Sequence, residues 1–262
     1  MRVLAIFVSV SWLAAQILGE DLPFIAVDFE SIETGEIGPE LVEDIFGSLR
    51  WERLSGRARV IEKGSGQVLE VVFPKGQVGS EESGSQFVVK LPEQRKMRLR
   101  YRVRPEKGFD FVKGGKLPGL SSGGSQFTGG RPPGSSGGWS ARYMWRREGA
   151  LELYFYHPEM KGKFGERHSL GVKLEPGRWS ELIQEIDTGN PGEGDGSLRI
   201  WIDGEIRLEL EELELHGTEY GRVDSFLFHT FYGGSDRSWA PSRETRLQFD
   251  DFEISTSPVE ER

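Results

Sequence analysis

Alternation of apolar and polar residues is the dominant pattern along this chain. In residues 96–104, Met97, Leu99, Tyr101 and Val103 alternate with five basic residues. Successive side chains of a β-strand point to opposite faces, so this segment predicts a strand with one buried face and one wholly basic face. Like charges along one face repel each other, and acidic neighbours or an anionic ligand should therefore neutralise them.

The same alternation occurs in two segments that flank the turn Arg147–Gly149. The segment before the turn places Ser140 and Arg142 on one face and its tryptophans on the other. The segment after the turn places Tyr154 and Tyr156 on one face and its leucines and phenylalanine on the other. The apolar faces belong in a core. The two strands therefore present a hydroxyl, a guanidinium and two phenols to one outward or groove-lining surface.

Shorter apolar segments separated by turn residues complete the pattern. Further strands are predicted at residues 24–30, 54–61, 68–73, 87–91, 179–186, 197–202, 205–210, 225–231 and 246–254. Asp203-Gly204 is a strong signal for a two-residue hairpin, and the acidic stretch 208–215 predicts a solvated edge. About a dozen short strands without a helical layer predict an all-β fold, a two-sheet antiparallel β-jelly roll sandwich with a concave substrate cleft.

Residues 121–138 are rich in serine, glycine and proline. The ordinary interpretation of this composition is a flexible surface loop. The segment is long for a structureless connection inside a compact domain, and such loops are often functional. Because it lies between Lys116 and Ser140, a mobile lid over the candidate surface is the functional interpretation.

The N-terminus has the pattern of a secretory signal. Arg2 precedes a mostly apolar stretch at residues 3–17, and small residues follow near its end. We therefore expect a signal peptide at residues 1–19, a single domain at residues 20–262, and a secreted or periplasmic protein without membrane association after cleavage. An uncleaved N-terminal anchor is the alternative.

Composition narrows the possible chemistry. The chain has no cysteine, which excludes thiol catalysis and thiolate metal sites. Its net charge is −9, yet residues 95–147 contain 13 lysines and arginines and only 2 acidic residues. A basic block in an acidic protein favours a focused site for a polyanion. A solvated strand face balanced by nearby acids is the alternative.

The residue types on the shared face suit β-elimination in a polymer of uronic acids. Removal of the C5 proton, next to the carboxylate, requires cations and donors that stabilise an enolate-like dianion. Arg142 offers a bidentate fork, Lys116 or Lys113 adds a point charge, and Ser140 offers a hydrogen bond. Either of the two tyrosines is a candidate base or acid, with its pKa lowered by the nearby cations.

Other interpretations remain open at this stage. The tyrosines are also ordinary strand residues, and Arg142 has a candidate partner in Glu152 across the hairpin. The four histidines are scattered without a ligand pattern, and Asp250 and Asp251 are adjacent and should face opposite ways, which disfavours a two-carboxylate hydrolase. A non-catalytic carbohydrate-binding jelly roll fits the same basic cleft.

Three stretches together resemble the polysaccharide lyase family 14 domain, which includes alginate lyases and glucuronan-type lyases: Lys113–Leu120, Ser140–Arg146 and Tyr154–Tyr156. The resemblance continues through residues 176–179, 190–192, 201–204, 228–234 and 249–252 and covers roughly residues 85–255. It implies a β-jelly roll that performs metal-independent β-elimination on uronate polysaccharides.

The family's catalytic group is a lysine, a serine, an arginine and two tyrosines. The matching positions are Lys116, Ser140, Arg142, Tyr154 and Tyr156, with Lys113 as the alternative lysine. Predicted substrate-binding residues are Lys113, Arg146, Arg100 and Arg102. We expect no metal, no cofactor and no nucleic acid, an acidic polysaccharide as partner, and a monomer.

Overall fold

The computed structural model describes residues 23–64 and 66–256. The predicted signal peptide at residues 1–19 lies outside these ranges. The strands are β1 Ile25–Val27, β2 Gly35–Glu36, β3 Leu49–Arg53, β4 Ala58–Lys63, β5 Gly66–Phe73, β6 Ser85–Gln94, β7 Lys96–Pro105, β8 Gly114–Ser122, β9 Trp139–Arg146, β10 Ala150–Tyr156, β11 Glu166–Lys173, β12 Ser180–Asp187, β13 Gly196–Ile202, β14 Glu205–Leu213, β15 Val223–Tyr232 and β16 Thr245–Ser255.

Helices are short. The α-helices are α1 Pro39–Phe46 and α2 Gly79–Glu82, and 3₁₀ turns lie at Gly134–Ser136, Arg147–Gly149 and Arg237–Trp239. Within residues 23–64 and 66–256, no helix is long and apolar enough to span a bilayer.

Two antiparallel sheets form the molecule. The nine-stranded sheet has the order β14-β13-β12-β7-β16-β5-β4-β2, with β1 paired to β16. The seven-stranded sheet has the order β11-β10-β9-β8-β15-β6-β3. The predicted all-β, two-sheet jelly roll is therefore confirmed.

The core lies between the sheets and follows the alternation of the sequence. On β7, every second residue from Met97 to Val103 is at most 1% exposed. On β9, the facing residues from Trp139 to Trp145 are fully buried, and the rings of Tyr101 and Tyr143 meet with their centroids 6.2 Å apart. The basic row of β7 and the Ser140 face of β9 therefore lie on opposite outer surfaces of the sandwich.

Strand β8 was not predicted as a strand, because its sequence is rich in glycine and contains Pro118. Its register with β9 shifts between Lys116 and Gly119. This bulge accommodates Pro118, which lacks an N–H for the ladder. A Cβ atom on Gly119 would lie 2.0 Å from the carbonyl oxygen of Ala141. The glycine is therefore required by the close approach of β9.

Other differences from the expected elements are local. Helix α1 and strands β2, β3 and β11 were missed, and β1 is shorter than the segment 24–30. The hairpin between β13 and β14 is confirmed, with both turn residues, Asp203 and Gly204, at positive φ (53° and 81°). Strand β14 lies at the edge of its sheet, as its acidic sequence indicated.

Candidate active site

Three neighbouring strands bring the five predicted catalytic residues to one surface. Tyr154 lies opposite Arg142 and Tyr156 lies opposite Ser140 in the β9–β10 ladder. Lys116 on β8 lies opposite Met144 of β9. Side chains directly opposite each other in a ladder share a face. The five residues therefore lie on the outer face of the seven-stranded sheet, which we call the groove face.

The guanidinium of Arg142 is buried without an acidic partner. The residue is 2% exposed, and its Nη1 lies 3.2 Å from Nδ1 of His229 on β15. To reach β15 the side chain crosses β8 at Gly119, which has no side chain to obstruct it. No carboxylate of the described ranges lies within 4.0 Å of it. Burial lowers the pKa of Arg142 to about 10, which reflects the cost of an unpaired charge at this position.

Lys116 is held between a thioether and an aromatic ring. Its Nζ lies 2.8 Å from Sδ of Met144 and 3.7 Å from the centroid of the Tyr154 ring. Burial, followed by the charges of Arg142 and Arg146, lowers the pKa of this ammonium well below its usual value. The amine is therefore easier to deprotonate than an ordinary lysine.

The two phenols form a connected pair. The Oη atoms of Tyr154 and Tyr156 are 3.3 Å apart, and the backbone N–H of Gly130 donates to Oη of Tyr156 at 2.9 Å. Burial and the hydrogen bond to Tyr156 raise the pKa of Tyr154. The expectation that nearby cations lower the pKa of the tyrosines is wrong for Tyr154, because burial outweighs the charge of Arg142. A raised pKa favours the protonated form of this phenol.

The connection between β8 and β9, residues 123–138, packs onto the groove face. Ser140 donates from Oγ to the carbonyl oxygen of Phe127 at 2.6 Å, and the ring of Phe127 joins Tyr156 and Met160 in a small apolar cluster. Tyr156 is consequently fully buried. The Ser140 hydroxyl thus anchors this connection. The sequence had suggested that this hydroxyl is free to donate a hydrogen bond to the substrate.

The remaining predicted cations of this region lie near one end of the groove face. Arg146 contacts Oε2 of Glu152 at 3.3 Å, and its guanidinium carbon lies 5.5 Å from the Trp239 ring. Lys113 is 5.7 Å from the same ring and donates to Oγ of Ser238. The structure therefore brings Lys116, and not Lys113, to the tyrosines. Glu152 is paired with Arg146 and not with Arg142.

Arg100 and Arg102, which were predicted to bind substrate, do not join this surface. Both project from β7 on the outer face of the nine-stranded sheet. Arg100 pairs with Glu181 at 2.6 Å, and Arg102 pairs with Asp251 at 2.8 Å and Asp250 at 3.4 Å. The alternation of the sequence predicted which face of its strand each residue occupies. It did not predict which of the two sheets the strand joins.

Two residues of the groove face were missed by the sequence interpretation. His229 appeared isolated because its partner Arg142 lies 87 positions away. Trp51 on β3 is 37% exposed, with its ring centroid 6.1 Å from that of His229 and 5.4 Å from the guanidinium carbon of Arg53. A tryptophan alternating with charged residues in Leu49–Arg53 was the available signal for an exposed ring.

The arrangement places two phenols beside Arg142 and Lys116, neither of which has an ion pair within the described part of the chain. Such cations attract an anion strongly because low-dielectric surroundings weaken screening. Among residues 23–64 and 66–256, no three histidine or acidic side chains are grouped so that they could hold a metal ion. The chemistry that these residues support is therefore recognition of a carboxylate combined with proton transfer by an amine and a phenol.

Comparison with solved structures finds this fold in several lyases. A mutant of alginate lyase Aly36B in complex with alginate tetrasaccharide is 23% identical and covers 91% of this chain and 99% of its own, with a TM-score of 0.78. A marine PL-14 alginate lyase from Aplysia kurodai is 22% identical over 90% and 99% of the two chains, with a TM-score of 0.76. An endo-β-1,4-glucuronan lyase from Trichoderma reesei is 12% identical over 90% and 96%, with a TM-score of 0.56.

These likenesses show that the fold is shared. A comparison with curated proteins gave no match. The family model for polysaccharide lyase 14 matches residues 62–252, which include all strands of the candidate site except β3. The chain therefore belongs to the polysaccharide lyase 14 family.

Proposed function

We propose that this member of the family cleaves a uronate-containing polysaccharide by metal-independent β-elimination. One observation carries the proposal: within the described residues Arg142 and Lys116 have no acidic partner, and they lie beside two phenols on one face. A buried unpaired charge is costly to maintain. The carboxylate of a bound uronate would supply the missing partner, which explains why the fold retains the charge.

Arg142 is the residue for the substrate carboxylate. One terminal nitrogen is engaged by His229, and the other nitrogens remain available as donors. His229 fixes the orientation of the guanidinium, since its neutral Nδ1 accepts from an arginine that has no acceptor of its own. Binding the carboxylate neutralises it and stabilises the dianion that forms when the C5 proton leaves.

Lys116 and Tyr154 divide the proton transfers in this proposal. The unprotonated amine of Lys116 takes the C5 proton. The electron pair of that bond forms the C4=C5 double bond, and the C4–O4 bond breaks. Tyr154 gives its proton to the leaving oxygen, and Tyr156 stabilises the resulting phenolate through the contact between the two Oη atoms. The lowered pKa of Lys116 and the raised pKa of Tyr154 match these roles.

Alginate and glucuronan are the substrates to test first. The structural neighbours include alginate lyases, one of them in complex with an alginate tetrasaccharide, and a glucuronan lyase. The signal pattern at residues 1–19 further supports export, which would bring the enzyme to extracellular polymers.

The test is to incubate the purified protein with a panel of polyuronates and to follow the ultraviolet absorbance of the new double bond. We expect a rising signal on at least one polymer, and we expect Lys116→Met and Arg142→Gln each to slow it by about 10²-fold or more. Arg102→Gln, on the opposite face of the molecule, is the matched control and should retain activity. Absence of unsaturated product from every polymer, or an unchanged rate in both groove variants, would overturn the proposal.

The complete burial of Tyr156 under residues 123–138 favours one second candidate, a non-catalytic polysaccharide-binding protein. In that case the same cations would bind uronate without elimination. The panel separates the two candidates, because a binder is retained on the polymer but produces no absorbance.

A further inference from the structure

The outer face of the nine-stranded sheet contains a cavity of about 540 Å³. This volume is within the usual range for small-molecule sites. Its cationic lining comprises Arg59, Lys63, Arg104, Lys107 and Arg246, and its acidic lining comprises Glu70 and Glu106. Five cations and two acids give the lining an excess of three positive charges in a protein whose net charge is −9.

Both acidic residues of the lining form ion pairs with two of its cations. Glu70 is buried and accepts from Arg59 at 2.7 Å, with Nε of Arg246 at 3.5 Å. Oε2 of Glu106 lies 3.6 Å from Nη1 of Arg246. These contacts neutralise one side of the cavity, and among the described residues no carboxylate pairs with Arg104, Lys63 or Lys107.

Arg104 is held in place by uncharged groups. Its Nε donates to Oε1 of Gln248 at 2.9 Å, and its guanidinium carbon lies 4.5 Å from the centroid of the Trp179 ring. The side-chain amide of Gln248 is fixed because its Nε2 donates to Glu70 at 3.1 Å. Burial and the neighbouring charge of Arg102 lower the pKa of Arg104. The guanidinium is thus positioned but not neutralised.

Lys63 and Lys107 have no ion pair or side-chain hydrogen bond within residues 23–64 and 66–256. This distinguishes the cavity from the rest of the basic row on β7. Further along the same row, Arg98, Arg100 and Arg102 each have an acidic partner. The row is therefore neutralised everywhere except where it borders the cavity. Three uncompensated cations converging on a concave site favour an oxyanion as ligand.

We propose that this cavity is a second, non-catalytic binding site for the carboxylate groups of an acidic polysaccharide. The proposal rests on the proposed function for the class of polymer. The cavity and the groove face lie on opposite sides of the sandwich, so one molecule would hold two segments of the polymer at once. Simultaneous binding at two sites raises the apparent affinity for long chains without any new contact in the groove.

The test compares Lys63→Gln/Lys107→Gln with Lys75→Gln/Lys96→Gln, which removes the same charge outside the cavity. Lys96 lies at the far end of the same basic row and is 64% exposed in its side chain. We measure retention on immobilised alginate and glucuronan and initial rates on short oligosaccharides of both. The cavity variant should lose at least about tenfold in apparent affinity for the polymer. The control variant should bind as the unmodified protein does, and the rates on short oligosaccharides should be equal in all three proteins.

Equal retention of the cavity and control variants would overturn the proposal. A second measurement distinguishes the source of the oxyanion: thermal unfolding with inorganic phosphate or with short uronate oligosaccharides. Stabilisation by phosphate alone, lost in the cavity variant, would also overturn it, because the site would then serve a free anion. If no polymer is cleaved but retention still depends on Lys63 and Lys107, the proposed function fails while the second site stands.

Discussion

The two outer faces of this molecule carry similar side chains and differ in how the charges are paired. On the nine-stranded sheet, Arg100 and Arg102 lie 2.6 Å from Glu181 and 2.8 Å from Asp251. On the groove face, Arg142 is 2% exposed and contacts His229 and the Tyr154 ring, and Lys116 contacts a thioether and the same ring.

The comparison shows that positive charge alone does not identify a site. Solvent-accessible cations with acidic partners contribute little to binding and modestly to stability. A buried cation without a partner costs free energy in the unliganded protein, and a substrate anion recovers it. Substitution of the unpaired groove cations should therefore act on catalysis, and substitution of the paired arginines of β7 should act on stability.

The largest expected effect is that of Lys116→Met, which removes the proposed proton acceptor. We expect kcat to fall by about 10²- to 10⁴-fold, as for loss of a general base. In the unmodified enzyme kcat/KM should rise with pH as the ammonium loses its proton. This rise should lie well below the pH at which a free lysine titrates, because burial lowers the pKa of Lys116. Rates of double-bond formation across pH check both statements.

Lys113→Met is the control for that experiment, because Lys113 lies beside Trp239 and not beside the tyrosines. Lys113→Met should keep the rate within a few-fold of that of the unmodified enzyme. It should leave the shape of the pH profile unchanged. A pH profile unchanged in shape by Lys116→Met, with substantial remaining activity, would contradict the assignment.

A somewhat smaller effect is expected for Arg142→Gln, which removes the proposed partner of the substrate carboxylate. The loss in kcat should be about 10²- to 10³-fold, as for other preorganised donors. Its thermal stability should be unchanged or higher, because the substitution removes a buried charge that has no acidic partner. The matched Arg102→Gln should show the reverse, a lower unfolding temperature with nearly full activity. Equal losses of activity in Arg142→Gln and Arg102→Gln would contradict the proposed difference between the two faces.

The third prediction concerns Trp51, whose exposed ring borders His229 on the groove face. We expect Trp51→Ala to raise KM several-fold on long oligosaccharides and to leave kcat within about twofold. Stacking far from the reacting bond stabilises the bound substrate and the transition state equally, so it affects KM and not kcat. Chain-length series of steady-state rates provide the measurement. The same loss on the shortest cleaved oligosaccharide would place Trp51 at the reacting sugar instead.

The smallest effect belongs to the nine-stranded face. Burial and the charge of Asp251 raise the pKa of Asp250 to about 6. The folded protein therefore retains a proton that the unfolded chain releases between about pH 4 and pH 6. The contribution of Asp250 to stability accordingly falls as pH rises through that window. Asp250→Asn should remove this decline in urea unfolding measured from pH 4 to pH 7, whereas the exposed Asp44→Asn should preserve it.

Alternation along the chain was sufficient to predict β9 and β10, which carry four of the five candidate catalytic residues. It placed Ser140 and Arg142 on one face of β9, and Tyr154 and Tyr156 on one face of β10, and the structure brings these faces together. Local pattern fixes side-chain direction in a strand because the period is 2. The family was likewise predicted from the short stretches around these residues and is confirmed.

Contacts between distant segments were beyond the reach of such patterns. The assignment of β7 and β9 to different sheets, the hydrogen bond from Arg142 to His229, and the anchoring of Ser140 by Phe127 all depend on tertiary pairing. Strand β8 was missed because glycine and proline are typical of turns, yet here the bulge and the close approach of β9 require them. The pKa of Tyr154 also depends on burial, which the sequence does not specify.

Gly119 gives this site a vulnerability that no reactive group reveals. A methyl group there would collide with the backbone of β9 at the point where Arg142 departs. In a saturation-mutagenesis screen, every replacement at this position should score as inactive, although glycine takes no part in any chemical step. Loss of activity at Gly119 would thus report the small space between β8 and β9. Without knowledge of the structure, the same result would suggest that Gly119 takes part in catalysis.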